Sequence, residues 1–215
     1  MEKKSKLKTA LFGGTFDPFH LGHVELLAHI NEEIGFDRIV IIPSGHPYFK
    51  EEKGRKITSV EDRIGMIEAG IADLHMPLEI SRIETDKDTP SYSVETVTEL
   101  KAADIEIDPD FRNSDYYFLC GSDILFEVER WHDFRRFLNE VILSVTTRGD
   151  RTDAEILEKK EELESMYSAR IRISSYRGRV ISSSAIRNDL ESSKDLIPMG
   201  TYEYIKEHHL YERKD

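Results

Sequence analysis

A chain of 215 residues, 39% hydrophobic and 33% charged, has the length for one domain with a proper core and the composition of a soluble globular protein. Its 42 acidic against 30 basic side chains, a net charge of -12, argue against broad non-specific nucleic-acid binding, though not against a small phosphate ligand held in a locally basic site. Cys120 is the only cysteine, which excludes an intrachain disulfide framework and a Cys-rich zinc site; with no apolar stretch before Leu11 and no run longer than Ile39–Ile42, a cytoplasmic chain that neither enters nor spans a membrane is expected.

In chain order, Thr9–Phe12 reads as a buried strand that stops at Gly13-Gly14. Leu21–Ile34 follows as a helix with Leu26, Leu27 and Ile30 on one side and Gly35 as its stop. Arg38–Ile42 is a second strand, ended by Pro43. Ser59–Ala72 is a helix capped by Ser59, with Asp62 in the reciprocal position and Ile64, Ile67 and Ile71 at helical spacing. Leu78–Ile83 is a third strand, Tyr92–Ala102 a third helix, and Tyr116–Cys120, Val141–Val145 and Ile171–Ile173 are further strands. Lys50–Lys56 and the acidic, proline-broken Asp104–Asp115 read as loops. Strands alternating with helices predict one doubly wound α/β domain, a parallel sheet covered on both faces, with its ligand at the carboxyl ends of the strands.

The stretch Gly13-Gly14-Thr15-Phe16-Asp17-Pro18-Phe19-His20-Leu21-Gly22-His23 carries the most chemistry. Glycines directly after a strand let backbone approach a ligand closely, and the helix start offers free N–H groups to an anion. His20 and His23, three apart, can turn both rings toward one phosphoryl group and donate to it as charge redistributes. Gly22 between them leaves room for something large against the helix. Zinc ligation by the pair, an ordinary helix start, or a dinucleotide-binding turn are the competing readings; the last lacks the G-x-G-x-x-G spacing. Near the other end, Ile181-Ser182-Ser183-Ser184-Ala185-Ile186-Arg187 reads as a helix cap whose hydroxyls and arginine can hold phosphate oxygens.

The first stretch resembles the Gly-Gly-Thr-Phe-Asp-Pro-x-His-x-Gly-His signature of the nucleotidylyltransferase superfamily, in the form found in bacterial nicotinate mononucleotide adenylyltransferases. The second resembles that superfamily's Ile-Ser-Ser-Thr/Ser-x-Ile/Val-Arg signature. The resemblance implies a Rossmann-like nucleotidyltransferase fold over 1–215, with the part from about 181 onward carrying the second phosphate motif. It makes His20, His23 and Arg187 the catalytic residues and brings ATP to Gly13, Gly14, Thr15, Phe16, Ile181, Ser183 and Ser184. Gly121-Ser122-Asp123 resembles the family's Gly-x-Asp beside the ATP ribose, which adds Gly121 and Asp123. Pro90-Ser91-Tyr92-Ser93 resembles its Pro-Ser-Tyr-Thr segment, so Ser93 would meet the nicotinate carboxylate; Trp131 would stack on the pyridine ring, followed by His132.

Two segments depart from the pattern. Pro47-Tyr48-Phe49-Lys50 stands for Pro-Pro-His-Lys, leaving Lys50 as a phosphate contact and no histidine, and Arg148-Gly149 lacks the family's proline. The implied reaction moves AMP from ATP to nicotinate mononucleotide, with Mg2+ held mainly by triphosphate and water and no protein metal ligand assigned. Asp17 as a metal ligand competes with a plain Asp-Pro turn. Nicotinamide mononucleotide and phosphopantetheine are the alternative acceptors. A metal-dependent hydrolase built on His20 and His23, and a non-catalytic nucleotide sensor, are the rivals from other classes.

Overall fold

A computed structural model describes residues 6–45, 57–147, 151–179 and 181–212. Six strands, β1 (Lys8–Gly14), β2 (Arg38–Pro43), β3 (Leu78–Ile80), β4 (Asp115–Gly121), β5 (Ile142–Thr147) and β6 (Arg170–Arg177), form a sheet in the order β3-β2-β1-β4-β5-β6. Every pairing is parallel, and central β1 sets Leu11 between Val40 of β2 and Phe118 of β4. This is the doubly wound order with its reversal between β1 and β4, where a crevice opens at the carboxyl ends of the strands.

The pleat sends successive side chains to opposite faces, so runs apolar at every position build two cores. Ala10, Phe12, Ile39 and Ile41 pack with Leu26, Leu27 and Ile30 of α1 (Leu21–Ile34) and Ile67 of α2 (Val60–Ile71). Leu11, Val40, Leu143 and Val145 pack with Val94, Val97 and Leu100 of α3 (Ser93–Ile107) and with Ile156 and Leu163 of α6 (Asp153–Tyr167). Short helices α4 (Ser122–Glu127), α5 (Phe134–Glu140) and α7 (Ser183–Asn188) and the terminal α8 (Met199–Glu207) complete the described elements. None of the described helices is long and apolar enough to cross a membrane.

Helix α1 has the predicted bounds, closed by Gly35 at φ 67°. Ser59 caps α2 by accepting from the Asp62 N–H at 3.1 Å, while Asp62 takes the Ser59 hydroxyl proton at 2.6 Å rather than reaching the cap's backbone. Strand β3 is shorter than its apolar pattern, because the chain turns at Arg82, whose carbonyl accepts the Asp86 N–H, and Ile83 packs on the core from a loop. The expected Asp104–Asp115 loop is corrected: α3 runs on to Ile107 and Pro109–Asn113 is a short 3-10 helix. The acid that suggested solvent is buried there. Asp104 accepts from Arg38 Nη1 at 2.6 Å and from the Tyr116 hydroxyl at 2.7 Å. Edge strand β6 outruns its apolar core because Glu33 of α1 satisfies its polar half, accepting from the Ser174 hydroxyl at 3.0 Å and the Ser175 N–H at 2.9 Å.

Candidate active site

A cleft of about 770 Å³ opens where β1, β2 and β4 end, at the sheet's reversal. Of the expected site residues, Gly13, Gly14, Thr15, His23, Ser93, Gly121, Asp123 and Trp131 line it. Lys50 lies outside the described residues, as do Tyr48, Phe49, Arg148 and Gly149.

The turn after β1 is built around aromatic rings. A side chain at Gly14 would stand 2.8 Å from the Phe16 ring, so only glycine lets Phe16 fold back beneath the turn. Phe16 is buried there with its backbone in the left-handed region, φ 52°. Its ring and that of Phe19 flank His23, with centroids 5.1 Å and 5.2 Å away, and the His20 ring stacks on His23 at 3.6 Å. Gly22 eases this stack: a Cβ there would crowd the His20 ring at 3.2 Å and touch Ile181 at 3.5 Å. The glycine between the histidines therefore gives the His20 ring close room and lies in contact range of Ile181 in the second motif.

His20 is the residue before α1, with extended backbone, and its N–H donates to Nδ1 of His23 at 3.1 Å. Nδ1 accepts, so Nε2 carries the proton of the neutral His23 ring, the tautomer that donates to an anion.

The second motif, 170 residues away in sequence, meets the first. Arg187 Nη1 donates to the Asp17 carbonyl at 2.5 Å, and Nη2 to the Ser184 hydroxyl at 2.9 Å. Ser182 rather than Ser183 caps α7, accepting from the Ala185 N–H at 3.3 Å. This leaves Ser183 and Ser184 in the first turn of α7 with Arg187 one turn on. The Asp17 carboxylate is buried and accepts from the Tyr211 hydroxyl at 2.8 Å, which favours the turn over metal ligation at that position.

At the other end of the cleft, Trp131 packs edge-on to Phe118 and at a tilt on Phe137, leaving the rest of its indole to the cleft. His132 is exposed and stacks on Tyr92 at 4.3 Å instead of lining the cleft. Ser93 begins α3. Glu84, which sequence reading passed over, lines the same end; burial raises its carboxyl pKa against the Thr96 hydroxyl bonded to it at 2.8 Å and the Lys87 charge. Cys120 also reaches the cleft, but burial, followed by the Asp123 charge, pushes its thiol up, so it is no nucleophile at neutral pH.

Arg63 is the other residue missed. It is fully buried and donates to the carbonyls of Thr58 at 3.2 Å, Thr15 at 2.9 Å and Ser44 at 2.8 Å. One guanidinium thus joins the turns after β1 and β2. Its only sequence signal is an arginine on the apolar stripe of α2, one residue before Ile64. Among the described residues, no group of three or more His, Cys, Asp and Glu side chains could hold a metal ion.

Residues 11–189 match the family model described as cytidylyltransferase-like. The chain is 33% identical over 211 residues to a protein of Dehalococcoides mccartyi named "probable nicotinate-nucleotide adenylyltransferase", covering 97% of this chain and 98% of that one. A protein of Clostridium botulinum with the same name is 30% identical over 207 residues, covering 95% and 98%. The nicotinic acid mononucleotide adenylyltransferase of Plasmodium falciparum, solved with APC and with NaAD, superposes with a TM-score of 0.72 at 20% identity, over 95% of this chain and 97% of that one. That superposition supports the fold, while the family match spans both the turn with its histidine pair and the distant Ser-Ser-Ala-Ile-Arg helix that meets it. The chain belongs to the cytidylyltransferase-like family.

Proposed function

We propose that this protein is a nicotinate-nucleotide adenylyltransferase, moving AMP from ATP to the 5′-phosphate of nicotinate mononucleotide and releasing pyrophosphate. One observation carries the reading: Arg187, bonded to Ser184 within the second motif, reaches the Asp17 carbonyl of the first, the motif that carries the stacked histidines. The names of the full-length relatives favour this acceptor.

The attacking oxygen belongs to the acceptor's phosphate, which is already ionised. No protein nucleophile is needed, and the protonated Cys120 thiol supplies none. The new bond forms from that oxygen to the α-phosphorus as the bond to the β-phosphate bridge breaks. Catalysis is then alignment and charge stabilisation, of which holding two phosphates in line can supply several kcal/mol, on the order of half the roughly 7–11 kcal/mol that full pre-orientation offers. His23 Nε2–H, held by its Nδ1 bond, donates to the α-phosphate oxygens with His20 stacked behind it. Gly13, Gly14, Thr15 and Phe16 form the turn over the triphosphate. Arg187, Ser183, Ser184 and Ile181 hold the departing pyrophosphate, with Lys50 as a further contact. Gly121 and Asp123 take the ribose, and Ser93 and Trp131 the nicotinate ring, with His132 outside the cleft.

ATP enters as its Mg2+ complex. The cation would be held mainly by triphosphate oxygens and water, as hard Mg2+ commonly is. The cytoplasm suits an enzyme whose one thiol stays reduced and buried.

Purified protein with ATP and Mg2+ is offered nicotinate mononucleotide and its amide in parallel, with pyrophosphate and dinucleotide measured. Faster turnover of the acid is expected. Preference for the amide would overturn the acceptor, and inactivity with both would overturn adenylyl transfer to a pyridine mononucleotide.

A further inference from the structure

Among the described residues, two acidic side chains line the cleft, and the sheet sets them on opposite sides of β1: Asp123 follows β4 and Glu84 follows β3. Asp123 is the residue expected beside the ATP ribose, whereas Glu84 stands in no motif. Glu84 is fixed from two directions. The buried Thr96 of α3 donates its hydroxyl to Oε1 at 2.8 Å. A Cβ at Gly45 would collide with the Glu84 carbonyl oxygen, so the segment after β2 lies directly against its backbone. Oε1 is thus already an acceptor, and Oε2 has no donor among the described residues. Ser44 and Ser91 add hydroxyls to the same cleft, both buried and without a hydrogen-bond partner among the described residues.

We propose that Glu84 binds the ribose of the acceptor nucleotide, its carboxylate accepting from the 2′- or the 3′-hydroxyl. This rests on the adenylyl-transfer reading and adds a contact for the part of the acceptor that Ser93 and Trp131 leave unheld. Counting donors selects the ribose. An ionised carboxylate only accepts hydrogen bonds. The phosphate and carboxylate of nicotinate mononucleotide also only accept, and their charge opposes that of Glu84. Its ring nitrogen carries the sugar and has no proton, so the ribose hydroxyls are its hydrogen-bond donors. Position agrees, because Glu84 and Ser93 both stand in the connection that leaves β3. A carboxylate pairing with a ribose hydroxyl is also how dinucleotide-binding α/β folds hold their sugar. Burial raises the Glu84 pKa against the Thr96 hydroxyl and the Lys87 charge, and a carboxylate short of water gains most from a further donor.

The test crosses substitutions with substrate analogues. Wild type, Glu84→Ala and Glu84→Gln are each offered nicotinate mononucleotide and its 2′-deoxy and 3′-deoxy forms, with ATP and Mg2+. Wild type should lose about tenfold or more in kcat/KM on at least one deoxy acceptor, the size of a hydrogen bond to a charged group. Glu84→Ala should lose about as much on the full acceptor and then turn over that deoxy form no worse, because the two changes remove the same bond. Glu84→Gln keeps the shape and an oxygen for Thr96 and should fall between; it carries the comparison if Glu84→Ala does not fold. In both variants KM for ATP and discrimination against 2′-deoxy-ATP should stay within about twofold of wild type. Wild type indifferent to both deoxy acceptors, losses that multiply between variant and analogue, or lost discrimination against 2′-deoxy-ATP would each overturn the proposal. If wild-type protein turns over neither mononucleotide, the functional reading fails, and calorimetry with the full and deoxy mononucleotides decides Glu84 separately. Tighter binding of the full sugar that vanishes in the variant sustains the contact; equal affinities overturn it, and no binding at all overturns both.

Discussion

The bond from the His20 N–H to His23 Nδ1 separates what His23 does for the fold from its proposed part in the reaction, and three substitutions exploit that. Asparagine puts an amide oxygen close to the place of Nδ1, so it can still accept from the backbone, but it has nothing at the place of Nε2. Glutamine reaches the place of Nε2 with a donor and gives up the cap. Alanine loses both, along with ring packing against Phe16 at 5.1 Å and Phe19 at 5.2 Å. Loss of one transition-state donor costs about 10²–10³ in kcat, or roughly 3–4 kcal/mol. The cap bond contributes about 1 kcal/mol to stability, and the ring contacts about 1 kcal/mol more. His23→Asn should therefore fold with a loss near 1 kcal/mol, the ring's share, yet turn over at least about 100-fold more slowly. His23→Gln should be the less stable of the two and the faster. Saturating pyrophosphate-release rates and urea unfolding on the same preparations measure both quantities. A kcat for His23→Asn within tenfold of wild type would refute the assignment of Nε2 as donor, however stable the variant proved.

Arg187→Ala should raise KM for ATP as well as lower kcat, and unchanged ATP affinity would contradict a polyphosphate contact. Asp104→Ala leaves the Tyr116 hydroxyl without its acceptor and Arg38 with Glu79 as its remaining carboxylate, and should cost about 1–3 kcal/mol by urea unfolding. Because that network lies at the end of the sheet remote from the cleft, the folded fraction should keep its ATP affinity. Arg63→Met orphans three carbonyls and should cost about 3 kcal/mol or more, with the loss read in unfolding midpoint and m-value. The pH dependence should trace partly to Glu33: burial raises its pKa, but hydrogen bonds from Ser175 and Ser174 and the Arg172 charge outweigh that, and the net shift is downward. A carboxylate depressed in the fold stabilises it above the ordinary carboxylate range and loses that contribution as pH falls toward the folded value. Glu33→Gln should thus be less stable at neutral pH and show a shallower acid limb; an unchanged slope between about pH 5 and pH 3 would count against it.

Local patterns carried the parts of this molecule that depend on near neighbours in sequence. Helix α1 could be bounded to the residue because its apolar stripe and its Gly35 stop are both local. The doubly wound parallel sheet was legible in the alternation of elements, since strands buried on both faces leave few other ways to connect them. Two of the errors share one cause, a polar residue whose partner is distant. Asp104 read as loop because nothing near it announces Arg38, 66 residues earlier. The strand read only as Ile171–Ile173 runs on to Arg177 because Glu33, 142 residues before Ser175, completes its hydrogen bonding. Gly22 adds a local point: the nearest group to its missing side chain is the ring of His20 two residues before it.

The same distinction runs through the site. The groups that would touch ATP stand in two short motifs, because a turn after a strand and a helix start each present several donors within a few residues. The groups that hold those motifs in place do not repeat near them: Arg63 acts on Thr15 across 48 residues, and Tyr211 on Asp17 across 194. A central strand makes this unavoidable. The turn after β1 is flanked by the segment after β2 on one side and the segment after β4 on the other, so its supports must come from later in the chain and from its last turns. An arginine on the apolar face of a helix and a tyrosine past the final helix are the places where a support of that kind would be sought. Both are donors aimed at backbone or carboxylate oxygen of the first turn. Substituting them should therefore alter ATP handling before it alters recognition of the acceptor, whose proposed contacts lie on α3 and the Trp131 segment instead.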